Sequence, residues 1–386
     1  MRSDGSTAVE DPRDAVQGLA HLARASAAVV FGTRPEIIKL AGIIELLDTK
    51  ARTIFSGQHF DPLLSNVFFD ELRLPPPDAM LGVGGRSRPQ QLGRIVLRLE
   101  EQFTGWPPAI VIVQGDTNTA LGGALAANAM NIPLVHVEAG LRSFDRRMPE
   151  EHNRVVIDHL ADVCLAPTET ARGNLLAEGI PEARIAVTGN TVVDAATRLI
   201  PAADERATLL ERMGLRAGEY VLATFHRPEN VDDRDRLEAI LDQLSKLEIP
   251  VVFPVHPRTR QHIETFRLAG KVKRVEMVSP LGYGPFLALA AESACLVSDS
   301  GGVQEEATVV KRPAIVVRRS TDRPEANGTF ATLIASPRDL ADVAGRLLAT
   351  LDDVHRRLAD CPSPYGDGRA SERSVKRIAL ALSKTE

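Results

Sequence analysis

The chain predicts an α/β protein built from two doubly wound parallel-sheet domains that face one cleft. Three observations lead there. Short, continuous apolar runs recur, each ending in a polar loop and then a helical pattern. The series breaks at a charged stretch, 204–218, and restarts. The length of 386 residues suits two domains that each bury a core. Buried strands alternating with helices are the mark of parallel sheets covered on both faces.

The first series opens with Ala27–Phe31, which runs into Gly32-Thr33-Arg34-Pro35-Glu36 and a helix over Ile37–Leu47. Ala109–Val113 leads into Gln114-Gly115-Asp116-Thr117 and an alanine-rich helix. Leu134–Val137 leads into Glu138-Ala139-Gly140. Val163–Ala166 precedes a helix that ends at Leu176, and Ile185–Val187 leads into Thr188-Gly189-Asn190. In the second series Val221–Phe225 runs into His226-Arg227-Pro228 and Val251–Val255 into His256-Pro257. Cys295–Val297 enters Ser298-Asp299-Ser300-Gly301-Gly302 and a helix, and Ala314–Val317 enters Arg318-Arg319-Ser320. A final helix is expected over Ser371–Leu382. The expected organisation is a loose extension at 1–26, a first domain at 27–198, a second at 199–365, and a terminal helix within 366–386 that returns to the first.

Composition narrows the function classes. A net charge of −5 and 4% aromatic residues argue against nucleic-acid binding, which needs a basic or stacking surface. No apolar run approaches the ~20 residues of a membrane span. Three scattered cysteines (Cys164, Cys295, Cys361) fit a reducing cytoplasm, and no histidine or cysteine has metal-ligand spacing. No G-x-x-x-x-G-K-[ST] or G-x-S-x-G is present, and Gly82-Val83-Gly84-Gly85 fails as a dinucleotide fingerprint because Ser87 holds its last position.

What remains is a set of polar residues at strand C-termini, where doubly wound sheets bind ligands. Ser300-Gly301-Gly302 opens a helix, and the free amides at such a start favour a diphosphate, although an ordinary cap would look the same. Glu306, one turn on, suits sugar hydroxyls. Arg34 and Arg323 are candidates for bidentate phosphate contact. Asp116 and Glu138 each follow a buried strand and so need a partner or a ligand. Glu150 lies at a helix start and shares a face with Arg154, four residues away, where a simple ion pair would also explain both. His226 ends a strand and suits phosphate binding or acid–base work.

In order, these loops resemble the non-hydrolysing UDP-N-acetylglucosamine 2-epimerases. The matching stretches are Phe31–Lys39, Gly57-Gln58-His59, Gly115-Asp116-Thr117, His136–Arg142, Pro149–Arg154 and Ala166–Thr170. Thr188–Thr191, Pro254–Pro257, Asp299–Glu306 and Arg323–Ala326 complete the set. The resemblance implies two Rossmann-like domains of GT-B-like type, a homodimer, a UDP-sugar substrate and no redox cofactor. It also implies the chemistry: UDP is eliminated across C1–C2 to leave a glycal, then re-added with protonation of C2 from the opposite face, which requires two acid/base groups and an anion site. Asp116, Glu138 and Glu150 correspond to the acid/base carboxylates, and Lys39, Arg154 and His226 to supporting groups. Arg34, Ser300, Gly301, Gly302 and Glu306 correspond to the UDP site, and Phe286 to the position near uracil.

Two departures stand out. Members activated by their own substrate carry Gln-His-x-Gln and an Arg-Gln pair, whereas this chain has Gln58-His59-Phe60-Asp61 and Pro89-Gln90, which argues against that second site. With Phe144–Pro149, the first stretch looks more like the archaeal-type branch, which also resembles epimerases for UDP-2,3-diacetamido-glucuronate. A hydrolysing 2-epimerase and a glycosyltransferase of the same fold are the other readings.

Overall fold

A computed structural model describes residues 26–58, 69–272 and 274–383. Thirteen strands form two all-parallel sheets among the described residues. The first contains β1 (Ala27–Phe31), β2 (Ala51–Phe55), β3 (Ala79–Met80), β4 (Ile110–Gln114), β5 (Leu134–Val137), β6 (Val163–Ala166) and β7 (Ile185–Val187), in the order β3-β2-β1-β4-β5-β6-β7. The second contains β8 (Val221–Thr224), β9 (Val251–Pro254), β10 (Val275–Val278), β11 (Cys295–Ser298), β12 (Ala314–Val317) and β13 (Ala331–Ile334), in the order β10-β9-β8-β11-β12-β13. Both sheets wind outward from a central pair, β1/β4 and β8/β11, so each reverses direction there and opens a crevice.

Helices cover both faces. Those of the first half are α1 (Arg34–Leu47), α2 (Arg88–Gly105), α3 (Asn118–Ala129), α4 (Pro149–Leu160), α5 (Glu169–Ala177) and α6 (Thr191–Leu199). Those that follow are α7 (Ala203–Arg212), α8 (Pro228–Val231), α9 (Arg234–Ser245), α10 (Pro257–Thr265), α11 (Tyr283–Glu292), α12 (Gly301–Val310), α13 (Leu340–Leu348), α14 (Leu351–Ala359) and α15 (Ala370–Leu382). No helix among the described residues is long and apolar enough to cross a membrane.

Five of the nine strands expected from apolar runs have the expected bounds, and the others shift by one residue. Four strands went unforeseen: β2, β3, β10 and β13. They lie toward the sheet edges and are wetted on one side, with Arg52, Glu276 and Thr332 interrupting the apolar pattern. Residues 1–25 of the expected extension lie outside the described residues, as do His59, Phe60 and Asp61.

One apolar core runs from the first sheet to the second, joining Val29, Phe31 and Val137 to Leu222, Leu296 and Val316. α15 closes it. Val375, Ile378 and Leu382 enter that core, the helix packs against α1, and Asp194 accepts the amides of Ala370 and Ser371 at 3.0 and 2.6 Å. We propose domain boundaries at 198/199, in the last turn of α6, and at 365/366, where the chain returns.

The loop after β5 is tightly packed. Gly140 has φ 82, and a Cβ there would lie 2.3 Å from the carbonyl oxygen of Ala171. Gly140→Ala therefore meets both backbone strain and a clash with main chain, and should lower unfolding free energy by ~2–4 kcal/mol in denaturant titration. A loss below ~0.5 kcal/mol would contradict this packing.

Candidate active site

The polar loops of the two sheets converge on a buried network of charges. From the first domain come Lys39 on α1, Asp116 after β4, Glu138 after β5 and Arg154 on α4. From the second come Glu305 on α12, and Asp322 and Arg323 after β12. Lys39 pairs with Glu138 and lies 3.1 Å from Glu305. Arg323 donates to Glu138 and to Glu305, each at 2.9 Å, and pairs with Asp322. Arg154 pairs with Asp116, and at 3.0 Å with both Asp322 and Glu151. Asp322 also receives Arg318 at 2.9 Å. Neutral contacts cross the same gap. Asn190 donates to Glu305 at 2.7 Å, Thr168 to Glu325 at 2.5 Å, and Arg34 to the carbonyl oxygen of Leu281 at 3.1 Å.

Local backbone form places the acids. Glu138 has φ 70, a left-handed conformation unusual for a residue with a side chain and common where a site imposes it. Asp116 follows Gly115, also at φ 70, and its carbonyl oxygen accepts from Asn153 at 2.7 Å. Burial raises the Asp116 pKa, but Arg154 more than offsets this and holds it below the ordinary carboxylate range. Burial likewise pulls Lys39 down, and Glu138 with Glu305 outweighs it, so its ammonium is held above the ordinary value.

The second domain brings the start of α12 to the same gap. Ser300 precedes α12, and its hydroxyl does not cap the helix. A Cβ on Gly301 would lie 2.9 Å from the guanidinium carbon of Arg323, so only glycine lets that arginine lie against the helix start. Gly302 has ordinary space around it: a Cβ there would lie 3.7 Å from the Ser300 hydroxyl and 3.9 Å from the Glu306 carboxylate. Glu306 is buried, which pushes its pKa up to about 7, and the buried Tyr283 hydroxyl lies beside it. Arg34 feels the charges of Glu71 in its own domain and of Glu306 across the gap, although burial lowers its pKa overall. The His226 amide donates to Asp299, and its ring lies 3.5 Å from that carboxylate and 6.0 Å from the His256 ring. That ring keeps 42% of its surface accessible, yet dense protein around it lowers its pKa despite Asp299.

Three expectations need adjustment. Glu150 is exposed and makes no ion pair or hydrogen bond among the described residues; Arg154 turns instead to Glu151, which also fixes the Ser143 and Phe144 amides at 3.0 and 2.8 Å. The i,i+4 pair is displaced by i,i+3 because Asp116 and Asp322 draw Arg154 inward. Arg323, expected at a phosphate, has its guanidinium committed to Glu138, Glu305 and Asp322. Phe286 is half-buried against the shared core. Sequence reasoning does not single out Glu305, Asp322 or Asn190; the first two stand beside chosen residues, in Glu305-Glu306 and Asp322-Arg323. Among the described residues no group of three or more His, Cys, Asp or Glu could hold a metal ion.

A model of the UDP-N-acetylglucosamine 2-epimerase family matches residues 45–379. The chain belongs to that family. A UDP-N-acetylglucosamine 2-epimerase of Methanocaldococcus jannaschii is 38% identical, covering 90% of this chain and 97% of the relative. A crystal structure of the enzyme from that organism, in complex with UDP-GlcNAc and UDP, superposes with a TM-score of 0.84 at 37% identity, covering 92% and 99%. A UDP-2,3-diacetamido-2,3-dideoxy-D-glucuronate 2-epimerase of Pseudomonas aeruginosa is 36% identical, covering 91% and 98%. Membership makes the chain an isomerase of sugar nucleotides with the GT-B-like pair of Rossmann-like domains.

Asp322 is the carboxylate on which Arg154, Arg318 and Arg323 converge, and those three hold its pKa well below the usual range despite burial. Asp322→Asn leaves three buried guanidinium groups short of charge and should cost ~3 kcal/mol of stability. Thermal unfolding within ~1 °C of the parent protein would contradict that role.

Proposed function

We propose that this protein interconverts UDP-N-acetylglucosamine and UDP-N-acetylmannosamine by inversion at C2. The observation that carries the reading is the buried charge network, which links the two acids Asp116 and Glu138 of one domain to the helix start Ser300–Gly301 of the other. One base removes the C2 proton as the C1–O bond breaks; its electron pair leaves with UDP, and C1=C2 forms. In the return step UDP adds to C1 and a second group protonates C2 from the other face. Atoms and electrons balance without an electron acceptor.

Each residue has a place in this scheme. Asp116 and Glu138 are acid/base groups beside the sugar. Glu150, exposed at the start of α4 one turn before Arg154, is the third and is open to solvent. Lys39 and Arg154 set the charge of the first two. Arg34, His226 and the amides of Ser300, Gly301 and Gly302 take the diphosphate. Glu306 accepts ribose hydroxyls, and Phe286 lies by the uracil. We assign a homodimer as the assembly; α2, α3 and α4 lie side by side and leave Leu97, Leu125 and Val156 exposed. The identity to the Pseudomonas aeruginosa enzyme supports a second reading, a UDP-2,3-diacetamido-glucuronate substrate.

Incubation in deuterated water with each UDP-sugar tests both. UDP-N-acetylglucosamine should acquire deuterium at C2 and yield a UDP-linked epimer. Exchange only with the uronate selects the second reading, and free N-acetylmannosamine as main product means hydrolysis. Asp116→Asn, Glu138→Gln and Glu150→Gln should each lower turnover at least ~100-fold, and near-normal rates in all three would remove the scheme.

Glu306 gives a pH signature. Its acid is protonated below about 7 and ionised above it, and only the carboxylate makes charge-assisted bonds to hydroxyls. UDP affinity should therefore rise as pH increases through 7, by about tenfold, equivalent to ~1.4 kcal/mol. Calorimetry at pH 6 and 8 on the parent and on Glu306→Gln checks this; the variant should lose the rise.

A further inference from the structure

Beneath the two acids lies a buried pair to which the scheme above gives no role. His136, on β5, and Asp158, on α4, are both fully buried. His136 Nδ1 lies 2.6 Å from Asp158 Oδ1, and its Nε2 lies 2.8 Å from the carbonyl oxygen of Gly115, the residue before Asp116. The other oxygen of Asp158 accepts the Gly140 amide at 3.1 Å, two residues after Glu138, and stands 2.7 Å from Arg142. One linked pair of side chains therefore holds both acid-bearing loops.

Those loops need holding. Gly115, Glu138 and Gly140 all have positive φ, at 70, 70 and 82°. Glycine adopts this region freely, but at Glu138, which carries a side chain, it persists only when the surroundings determine it. Apolar side chains of the same volume would fill the space without desolvating charges. What they could not do is bond a carbonyl on one loop and an amide on the next.

We propose that His136 and Asp158 form a positioning pair that sets the placement of the Asp116 and Glu138 carboxylates relative to each other. The inference rests on the reading of those two as the acid/base groups. Neither member of the pair reaches the nucleotide cradle, which belongs to the other domain, so the pair acts on turnover and leaves nucleotide binding alone.

Two substitutions in the full-length protein separate the bonds. In His136→Asn the amide nitrogen replaces Nδ1, keeping Asp158 and releasing Gly115. In His136→Gln it replaces Nε2, keeping Gly115 and releasing Asp158. Each should lower kcat at least ~10-fold, since displacement of ~1 Å can cost more. KM, and the Kd for UDP by calorimetry, should stay within about 2-fold of the parent, as for an interaction absent from ground-state binding. A fall in Tm with kcat unchanged in both variants would overturn the inference, as would a rise in KM at constant kcat. If neither variant folds, Asp158→Asn is read by the same criteria. Deuterium exchange at C2 by the parent is the control. No exchange there removes the proposed function itself, whereas parent exchange with undiminished variants removes only the positioning role.

Discussion

The structure depends on keeping a dense set of opposite charges paired inside the gap between two sheets. Asp116, Glu138, Glu305 and Asp322 face Lys39, Arg154 and Arg323, with Arg318 and Glu151 at the margin. A buried ion without a partner is costly, and removing one member of such a set harms more than the whole set contributes. The constraint therefore acts on the ensemble. It fixes the approach of the two domains, because the pairs Arg154–Asp322, Arg323–Glu138 and Lys39–Glu305 each draw one partner from either side. It also explains why the cradle at Gly301 tolerates no side chain, since Arg323 must lie against that turn to reach Glu138.

Topology makes the convergence possible. Both sheets have the same winding, and in each the central pair of strands marks the crevice. In the first, the loops after β1 and β4 carry Arg34 and Asp116; in the second, those after β8 and β11 carry His226 and Ser300. Residues far apart in sequence, such as Glu138 and Arg323, thus meet without any long connection inside the gap. The shared core that runs through α1, α6 and α15 keeps the two crevices facing each other.

Much of this was legible in the sequence because central strands of a parallel sheet are buried on both faces and read as unbroken apolar runs. Ala27–Phe31 and Ala314–Val317 are cases. The outer strands were not legible for the converse reason: Val275–Val278 carries Glu276 on a wetted side and resembles a loop. The acids after β4 and β5 were visible because a charge at the end of a buried strand needs an explanation. Glu305 and Asp322 were hidden by their position on a helix face and in a turn, where solvated acids are common. The opposing domain completes their burial, through Lys39 at Glu305 and Arg154 at Asp322. Nor does a motif reveal how its cations divide between ligand and protein. Arg34 and Arg323 look alike in the sequence, and only packing commits the second to carboxylates.

The arrangement around Glu138 bears on how such a site would work. Its carboxylate accepts from Lys39, Asn190 and Arg323, and its backbone is held in a left-handed form. Three donors occupy most of the acceptor positions of that carboxylate and fix its orientation. An incoming diphosphate at the start of α12 would compete for the same cations, since Arg323 lies directly on that turn. Drawing even one donor away frees an oxygen lone pair of Glu138 as the sugar arrives. The same charges that hold the domains together would in this way tie proton transfer to occupancy of the nucleotide cradle. Asp116, held below the ordinary carboxylate range by Arg154 and 30% exposed, stays open to solvent, so the two acids sit in different surroundings. A reaction that takes a proton from one face and returns it to the other requires that difference.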